Sequence, residues 1–209
     1  MNLENQIIDD GRKLPLIDDF YTLQGEGFHT GKAAYFLRVG GCDIGCRWCD
    51  SKVSWKFGTH QLVDVDKIVE KALSFPAKSI VLTGGEPLNY NLNYLCNELK
   101  KNKIQTYLET SGSGTLTGIW DWICLSPKKN SPPEDSIIPK ANELKIIVFD
   151  YSDFEWAEKY ARLVKPDCQL YLQPEWSKHK TITNDIVDYI KLNPKWKISI
   201  QAHKFMKIP

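Results

Sequence analysis

Along most of the chain, short β-branched runs alternate with apolar stripes of helical period, and few folds accommodate that order. Ala33 to Val39, Ser79 to Thr83, Ile104 to Glu109, Ile123 to Leu125, Glu143 to Phe149, Gln169 to Gln173 and Trp196 to Ile200 read as strands. Between the first two, Val65, Ile68, Val69, Ala72 and Leu73 recur at helical spacing, with Asp66, Lys67, Glu70 and Lys71 off the stripe. Leu92, Leu95, Cys96 and Leu99 make a second stripe. A third helix opens with a capping box, Ser152 and Glu155, and is expected to bury Phe154, Ala157, Tyr160 and Ala161. Ile182, Ile186, Tyr189 and Ile190 mark a fourth, ended before Pro194. Strands alternating with helices pair in parallel through right-handed crossovers. Thr110 to Asp121 is too short and Gly-rich for a full helix, and Pro127 to Ala141 carries four prolines, Pro127, Pro132, Pro133 and Pro139. The expectation is therefore an α/β fold: a partial (β/α) barrel of mostly parallel strands, with some helices reduced or missing. An open doubly wound sheet is the runner-up.

A chain of 209 residues fits one domain, residues 1–209. A domain of that size buries about 70% of the surface its unfolded chain exposes, so its core needs no staples. Lys and Arg number 27 against 26 Asp and Glu, which leaves a net charge of +1 and no compositional footprint of a nucleic-acid partner. Apolar stretches such as Ala33 to Leu37 fall far short of the ~20 residues a spanning helix needs. Met1 to Lys13 is polar and partly acidic, without the apolar core of a signal peptide. A soluble cytoplasmic protein is expected, and there six cysteines do not read as a disulfide framework.

Polar motifs collect where the strands end. Cys42, Cys46 and Cys49 follow the first strand, and Gly84-Gly85-Glu86-Pro87 follows the second. Glu109-Thr110-Ser111-Gly112, Ser126-Pro127-Lys128, Gln173-Pro174-Glu175, and Gln201 with His203 follow later ones. In parallel α/β folds those ends share one face, and ligands bind there. Three cysteines on one short loop can wrap three corners of an iron–sulfur cubane, with Gly45 letting the backbone bend. With no fourth cysteine nearby, one iron would stay open. A structural zinc is the competing metal; it wants four closed ligands, and His29 could in principle supply the fourth, though it lies before the strand. Three thiols that hold no metal are the plainest alternative.

The spacing CxxxCxxC, with Trp48 before the last cysteine, resembles the signature of the radical S-adenosylmethionine superfamily, and Thr83-Gly84-Gly85-Glu86-Pro87 is similar to its GGEP element. More narrowly, Leu23-Gln24-Gly25-Glu26-Gly27, Arg38, Cys49-Asp50-Ser51 and Pro209 resemble the 7-carboxy-7-deazaguanine synthase family, over about Phe20 to Pro209. The resemblance implies that Cys42, Cys46 and Cys49 hold a 4Fe–4S cluster whose open iron binds S-adenosylmethionine, the source of a 5′-deoxyadenosyl radical. It places Gly84, Gly85 and Glu86 at the methionine end of that cofactor and Trp48, Cys49 and Asp50 along its adenosine. Ser126, Pro127, Lys128, Gln173, Pro174 and Glu175 would complete the cofactor pocket.

The substrate implied is 6-carboxy-5,6,7,8-tetrahydropterin, whose ring contracts with loss of ammonia to a 7-deazapurine of queuosine biosynthesis. Its carboxylate suits the bidentate guanidinium of Arg38, a lone Arg among apolar strand neighbours that is costly unless paired. Its flat 2-amino-4-oxo edge would meet Leu23, Gln24, Gly25 and Glu26, with Thr83, Glu109 and His203 as further contacts. Pro209 would bring a terminal carboxylate to the site. Mg²⁺ is implied at Ser51, where the family more often has Thr; the hard oxygen ligand is kept, and the rotamer-restricting methyl is lost. Cys96, on an apolar stripe, and Cys124, between Ile123 and Leu125, read as buried thiols, and Cys168 shows no partner. A homodimer and a flavodoxin-type electron donor are further expectations from the resemblance. Two alternatives stand beside this reading: a glycyl-radical-activating type of enzyme, against which Arg38, LQGEG and Pro209 argue, and a non-enzymatic zinc or iron–sulfur module.

Overall fold

Nine strands form one sheet in the computed structural model, which describes residues 10–209: β1 (Lys13–Leu23), β2 (Ala33–Val39), β3 (Gln61–Asp64), β4 (Ser79–Gly84), β5 (Gln105–Thr110), β6 (Trp122–Leu125), β7 (Glu143–Val148), β8 (Gln169–Pro174) and β9 (Trp196–Ile198). Residues 1–9 of the polar N-terminal stretch lie outside the described residues. The strand order is β3-β1-β2-β4-β5-β6-β7-β8-β9, open at both ends. From β2 to β9 every pairing is parallel, while β1 runs antiparallel to both β2 and β3. A doubly wound sheet reverses its order partway. Here each strand from β4 onward is added on the same side. That progression gives a partial barrel and excludes the doubly wound alternative.

The period of two in the strands divides the sheet into two faces. Tyr35, Leu37 and Val39 of β2, Ile80 and Leu82 of β4, and Leu108 of β5 pack into the main apolar core. Helices α1 (Val65–Ser74), α2 (Asn93–Lys101), α3 (Ser152–Ala161) and α4 (His179–Leu192) follow the strands, with a short α5 (Ala202–Met206) at the end. At roughly 1.5–3 kcal/mol per fully buried large apolar side chain, this face dominates the stability. Residues out of phase, among them Phe36, Arg38, Thr83, Glu109, Lys145 and Gln173, turn to the concave face instead. Between β5 and β6 there is no helix, and between β6 and β7 only a single 3₁₀ turn at Ile138–Lys140, as the glycines and prolines there require. No helix among the described residues is long and apolar enough to cross a membrane.

Three local expectations are corrected. Strands β1 and β3 are absent from the sequence reading; β1 carries Pro15, two adjacent acids and a register shift between Leu16 and Asp18 that together erase the alternation. Ser152 and Glu155 form no capping box: the helix opens without a side-chain cap from its preceding residue, and Ser152 instead bonds Asp150, whose Oδ1 accepts from its N–H at 2.9 Å and its hydroxyl at 2.6 Å. Asp153 does the rest, accepting from the N–H groups of Phe149 at 2.7 Å and Asp150 at 3.0 Å. The stripes are also narrower than read, since Leu73 is exposed and Ala161 only half-buried.

Candidate functional site

At the carboxyl ends of the parallel strands lies a cavity of about 350 Å³, with Cys42, Cys46 and Cys49 on its wall. The cysteine loop leaves β2 and is stitched back to its neighbours by backbone. Gly41 N–H donates to Ser54 O at 2.7 Å, Gly85 N–H to Val39 O at 2.7 Å and Glu86 N–H to Gly41 O at 3.0 Å. Two glycines make these approaches possible: Gly84 has a φ of +114° and a Cβ there would sit 2.4 Å from Val39 N, while a Cβ on Gly85 would sit 2.3 Å from Gly41 O. Glu86, 1% exposed, accepts from Leu88 N at 3.0 Å, Thr110 Oγ1 at 2.5 Å, Ser111 N at 2.9 Å and Ser111 Oγ at 2.5 Å. A buried carboxylate with four donors is satisfied. Glu86 therefore ties the glycine turn to the end of β5.

The three loop thiols are half-buried and unbridged. Burial pushes the Cys42 and Cys46 thiols up, while the Lys128 ammonium pulls Cys46 the other way. Lys128 is fixed by Ser126, whose carbonyl it meets at 2.5 Å and hydroxyl at 2.7 Å, and it lies 5.6 Å over the Trp48 ring. Ser51 N–H donates to Cys49 Sγ at 3.4 Å. Among the described residues no three His, Cys, Asp or Glu side chains converge on a point where one metal ion would sit. Thiols on separate corners of one loop, with a cation and an N–H beside them, suit a polynuclear cluster rather than a mononuclear zinc. His29 is remote from them: its ring stacks on Tyr107 at 4.5 Å and it is not among the residues lining the cavity, so it does not complete a cysteine site. Cys96, Cys124 and Cys168 are buried free thiols, and desolvation pushes Cys96 and Cys168 up to about 12.

On the concave face a buried lysine joins two acids. Lys145 Nζ lies 2.7 Å from Glu26 Oε2 and 2.8 Å from Glu109 Oε2. Gln201 donates to the other Glu26 oxygen at 2.9 Å, and Gln24 to the other Glu109 oxygen at 3.2 Å. Burial opposes the charge on Glu26, but Lys145 outweighs it and lowers the carboxyl to about 2. The loop carrying Glu26 docks on α5: Ala202 N–H donates to Gly25 O at 2.8 Å, and a Cβ on Gly25 would meet His203 Nδ1 at 2.2 Å, so only glycine fits. Burial holds His203 below the usual imidazole range.

Arg38 also faces the cavity, but it is not the lone charge the sequence suggested. Its Nε donates to Asp18 Oδ1 at 2.6 Å and its Nη2 to Asp18 Oδ2. Asp18 sits on β1, the strand that sequence reasoning missed. Leu23, Gln24, Gly25, Glu26, Thr83, Glu109, His203 and Pro209 all line the same cavity, as do Trp48, Asp50, Gly84, Gly85, Ser126, Lys128, Gln173, Pro174 and Glu175. Ser51 and Pro127 are not among the lining residues. Ser51 O accepts from Ser54, and Pro127 O accepts from Trp156 Nε1 at 3.4 Å. Among the described residues, Lys145 is the charged lining residue that sequence reasoning left out, beside uncharged ones such as Trp55 and Trp176. Its signal was available: a lysine between Leu144 and Ile146 in an apolar strand is as anomalous as Arg38.

A three-cysteine loop and a glycine turn at one end of an open parallel barrel define a radical S-adenosylmethionine enzyme, a class that uses S-adenosylmethionine and a 4Fe–4S cluster. The profile of the Radical SAM superfamily matches residues 37–123, which span the cysteine loop and the glycine turn. Over 202 residues the chain is 50% identical to 7-carboxy-7-deazaguanine synthase of Flavobacterium psychrophilum, covering 97% of this chain and 96% of that one. It is 43% identical to the synthase of the same name from Synechocystis sp., covering 93% of each. The crystal structure of QueE from Escherichia coli superposes with a TM-score of 0.81 at 27% identity, covering 97% of this chain and all of that one. The chain belongs to the 7-carboxy-7-deazaguanine synthase family.

Proposed function

We propose that the chain binds 6-carboxy-5,6,7,8-tetrahydropterin in this cavity and converts it, with ring contraction and loss of ammonia, to 7-carboxy-7-deazaguanine. One observation carries the reading of the site: a guanidinium and an acid–lysine–acid cluster share one cavity with the cysteine loop. Cys42, Cys46 and Cys49 would hold the cluster, and Gly84, Gly85, Trp48, Asp50, Ser126, Lys128, Gln173, Pro174 and Glu175 would bound the S-adenosylmethionine. When bound, the two cofactors supply one-electron chemistry that removes hydrogen from the substrate. Arg38 keeps Nη1 free of protein acceptors among the described residues, so its end-on fork is open to a substrate carboxylate while Asp18 occupies the other side. Glu26 and Glu109 offer acceptors to the N–H groups of the ring edge, with Gln24, Thr83 and His203 around it. Glu86 acts on the cofactor through the turn it braces.

The reading extends to Mg²⁺ at Ser51, whose hydroxyl bonds no protein atom among the described residues, and to a cytoplasmic homodimer reduced by a flavodoxin-type donor. The decisive experiment is anaerobic turnover of the carboxy-tetrahydropterin by the reconstituted protein, with formation of 7-carboxy-7-deazaguanine followed by mass. Uncoupled cleavage of S-adenosylmethionine with no deazapurine product would reject the substrate. The same assay tests the ion. Ser51→Ala should raise the Mg²⁺ needed for half-activation by about tenfold or more, since loss of even an outer contact is felt on that scale. Ser51→Thr should not. An unchanged Mg²⁺ curve for the Ala variant would remove Ser51 from the metal assignment.

A further inference from the structure

Lys145 stands out as a buried lysine whose two hydrogen-bonded acids both come from outside its own strand. Its side chain is 6% exposed, yet it is not neutralised by one acid but bridges two, brought from the loop after β1 and from β5. Two carboxylates this close repel each other, and without a cation between them one would keep a proton. With Lys145 present each carboxylate is pinned by one ammonium bond and one amide bond, from Gln201 on Glu26 and from Gln24 on Glu109. Both remain acceptors, because a carboxylate oxygen takes more than one hydrogen bond. We propose that Lys145 is a positioning residue for the substrate ring, holding Glu26 and Glu109 in place as a pair of charged acceptors for a donor-rich heterocycle edge. This rests on the proposed pterin substrate and names what makes the site selective for N–H donors.

The charged and titratable groups facing Lys145 come from several elements: Glu26 before β2, Glu109 on β5, Cys124 on β6, Lys128 after it, Glu143 on β7 itself, and His203 on α5. From β8 the cavity receives Gln173, which carries no charge. Burial would drive the proton off Lys145, but the acids around it outweigh burial and hold the ammonium well above the ordinary lysine range. Burial and Glu109 push Glu143 up to about 7. Glu143 points elsewhere, accepting from Phe28 N at 3.2 Å and Trp122 Nε1 at 3.1 Å. Glu26 thus depends on Lys145 for its charge, and Glu109 shares the same ammonium.

The test is equilibrium binding of 6-carboxy-5,6,7,8-tetrahydropterin, by calorimetry, to the reconstituted protein with S-adenosylmethionine present, from about pH 6 to about pH 9. The parent should bind with a nearly flat profile. Lys145→Met should bind about thirtyfold more weakly at the acid end, the scale of one charged hydrogen bond, and recover severalfold toward the alkaline end as the retained proton leaves. Its affinity for S-adenosylmethionine should stay within about twofold of the parent, far less than loss of one hydrogen bond would cost. A loss by the same factor at every pH, or no loss, overturns the proposal, because a merely structural lysine imposes no proton on the acids. If Lys145→Met does not fold, Lys145→Met with Glu109→Gln removes one charge of each sign and should fold. That double variant should bind with a flat profile and about tenfold or greater loss, and parent-like affinity would overturn the proposal. Failure of the parent itself to bind the pterin, with S-adenosylmethionine binding intact, would instead reject the substrate on which the inference rests.

Discussion

Changing Cys42, Cys46 or Cys49 to Ala should abolish both the brown chromophore of the reconstituted protein and its cleavage of S-adenosylmethionine. The parent should carry about four irons per chain on three cysteines. All three thiols sit on one loop, with Lys128 beside Cys46 and the Ser51 N–H on Cys49, and no other free thiol among the described residues lies on that loop. Cys96→Ala is the control. Its thiol is 2% exposed, lies on the buried stripe of α2 and is pushed up to about 12, so it is an apolar packing group rather than a ligand. Its loss should cost about 1 kcal/mol of stability and leave iron content unchanged. Iron and visible absorbance, measured anaerobically on the four single variants and on the triple loop variant, decide the matter; a chromophore that survives loss of all three loop cysteines sinks the assignment.

The parts legible in the sequence are those whose causes are local. Strands β2 and β4 to β9 follow from apolar runs buried on the sheet, and the missing helices follow from Gly114, Gly118 and the prolines of residues 127–139. The cysteine loop is legible because its three thiols lie within eight positions of one another. Strand β1 was not, because its polar residues make sense only against distant partners. Asp18 bonds Arg38, twenty positions away, and Asp19 bonds Tyr35 and Lys71. Propensity counts such acids against a strand, and tertiary pairing overrides it. Lys145 shows the same limit within the site. It is separated by 119 residues from Glu26 and by 36 from Glu109, so the anomaly of a charged residue in β7 was visible while its two partners were not. The β1–β2 pairing then determines how Arg38 can act.

Arg38→Lys should weaken binding of the carboxy-tetrahydropterin by about 2 kcal/mol, roughly thirtyfold, and leave S-adenosylmethionine binding nearly unchanged. The guanidinium can serve two carboxylates because its five N–H groups point along separate edges. Asp18 takes the edge formed by Nε and Nη2, and the edge carrying Nη1 remains. An ammonium has three donors but no planar fork, so it meets each carboxylate with a single bond where the guanidinium makes a pair. On this strand Asp18 is the permanent neighbour, and the substrate would lose its paired contact. Asp18→Asn separates the two contacts. Both side chains of the pair are more than one-third exposed, so the ion pair itself contributes little, and this change should alter substrate affinity by no more than about 1 kcal/mol. If Asp18→Asn matches the loss seen with Arg38→Lys, the pair serves as one scaffold. If Arg38→Lys weakens both ligands equally, Arg38 supports the fold and does not read the carboxylate. Titration of each ligand against the three proteins, at one pH and ionic strength, distinguishes these outcomes.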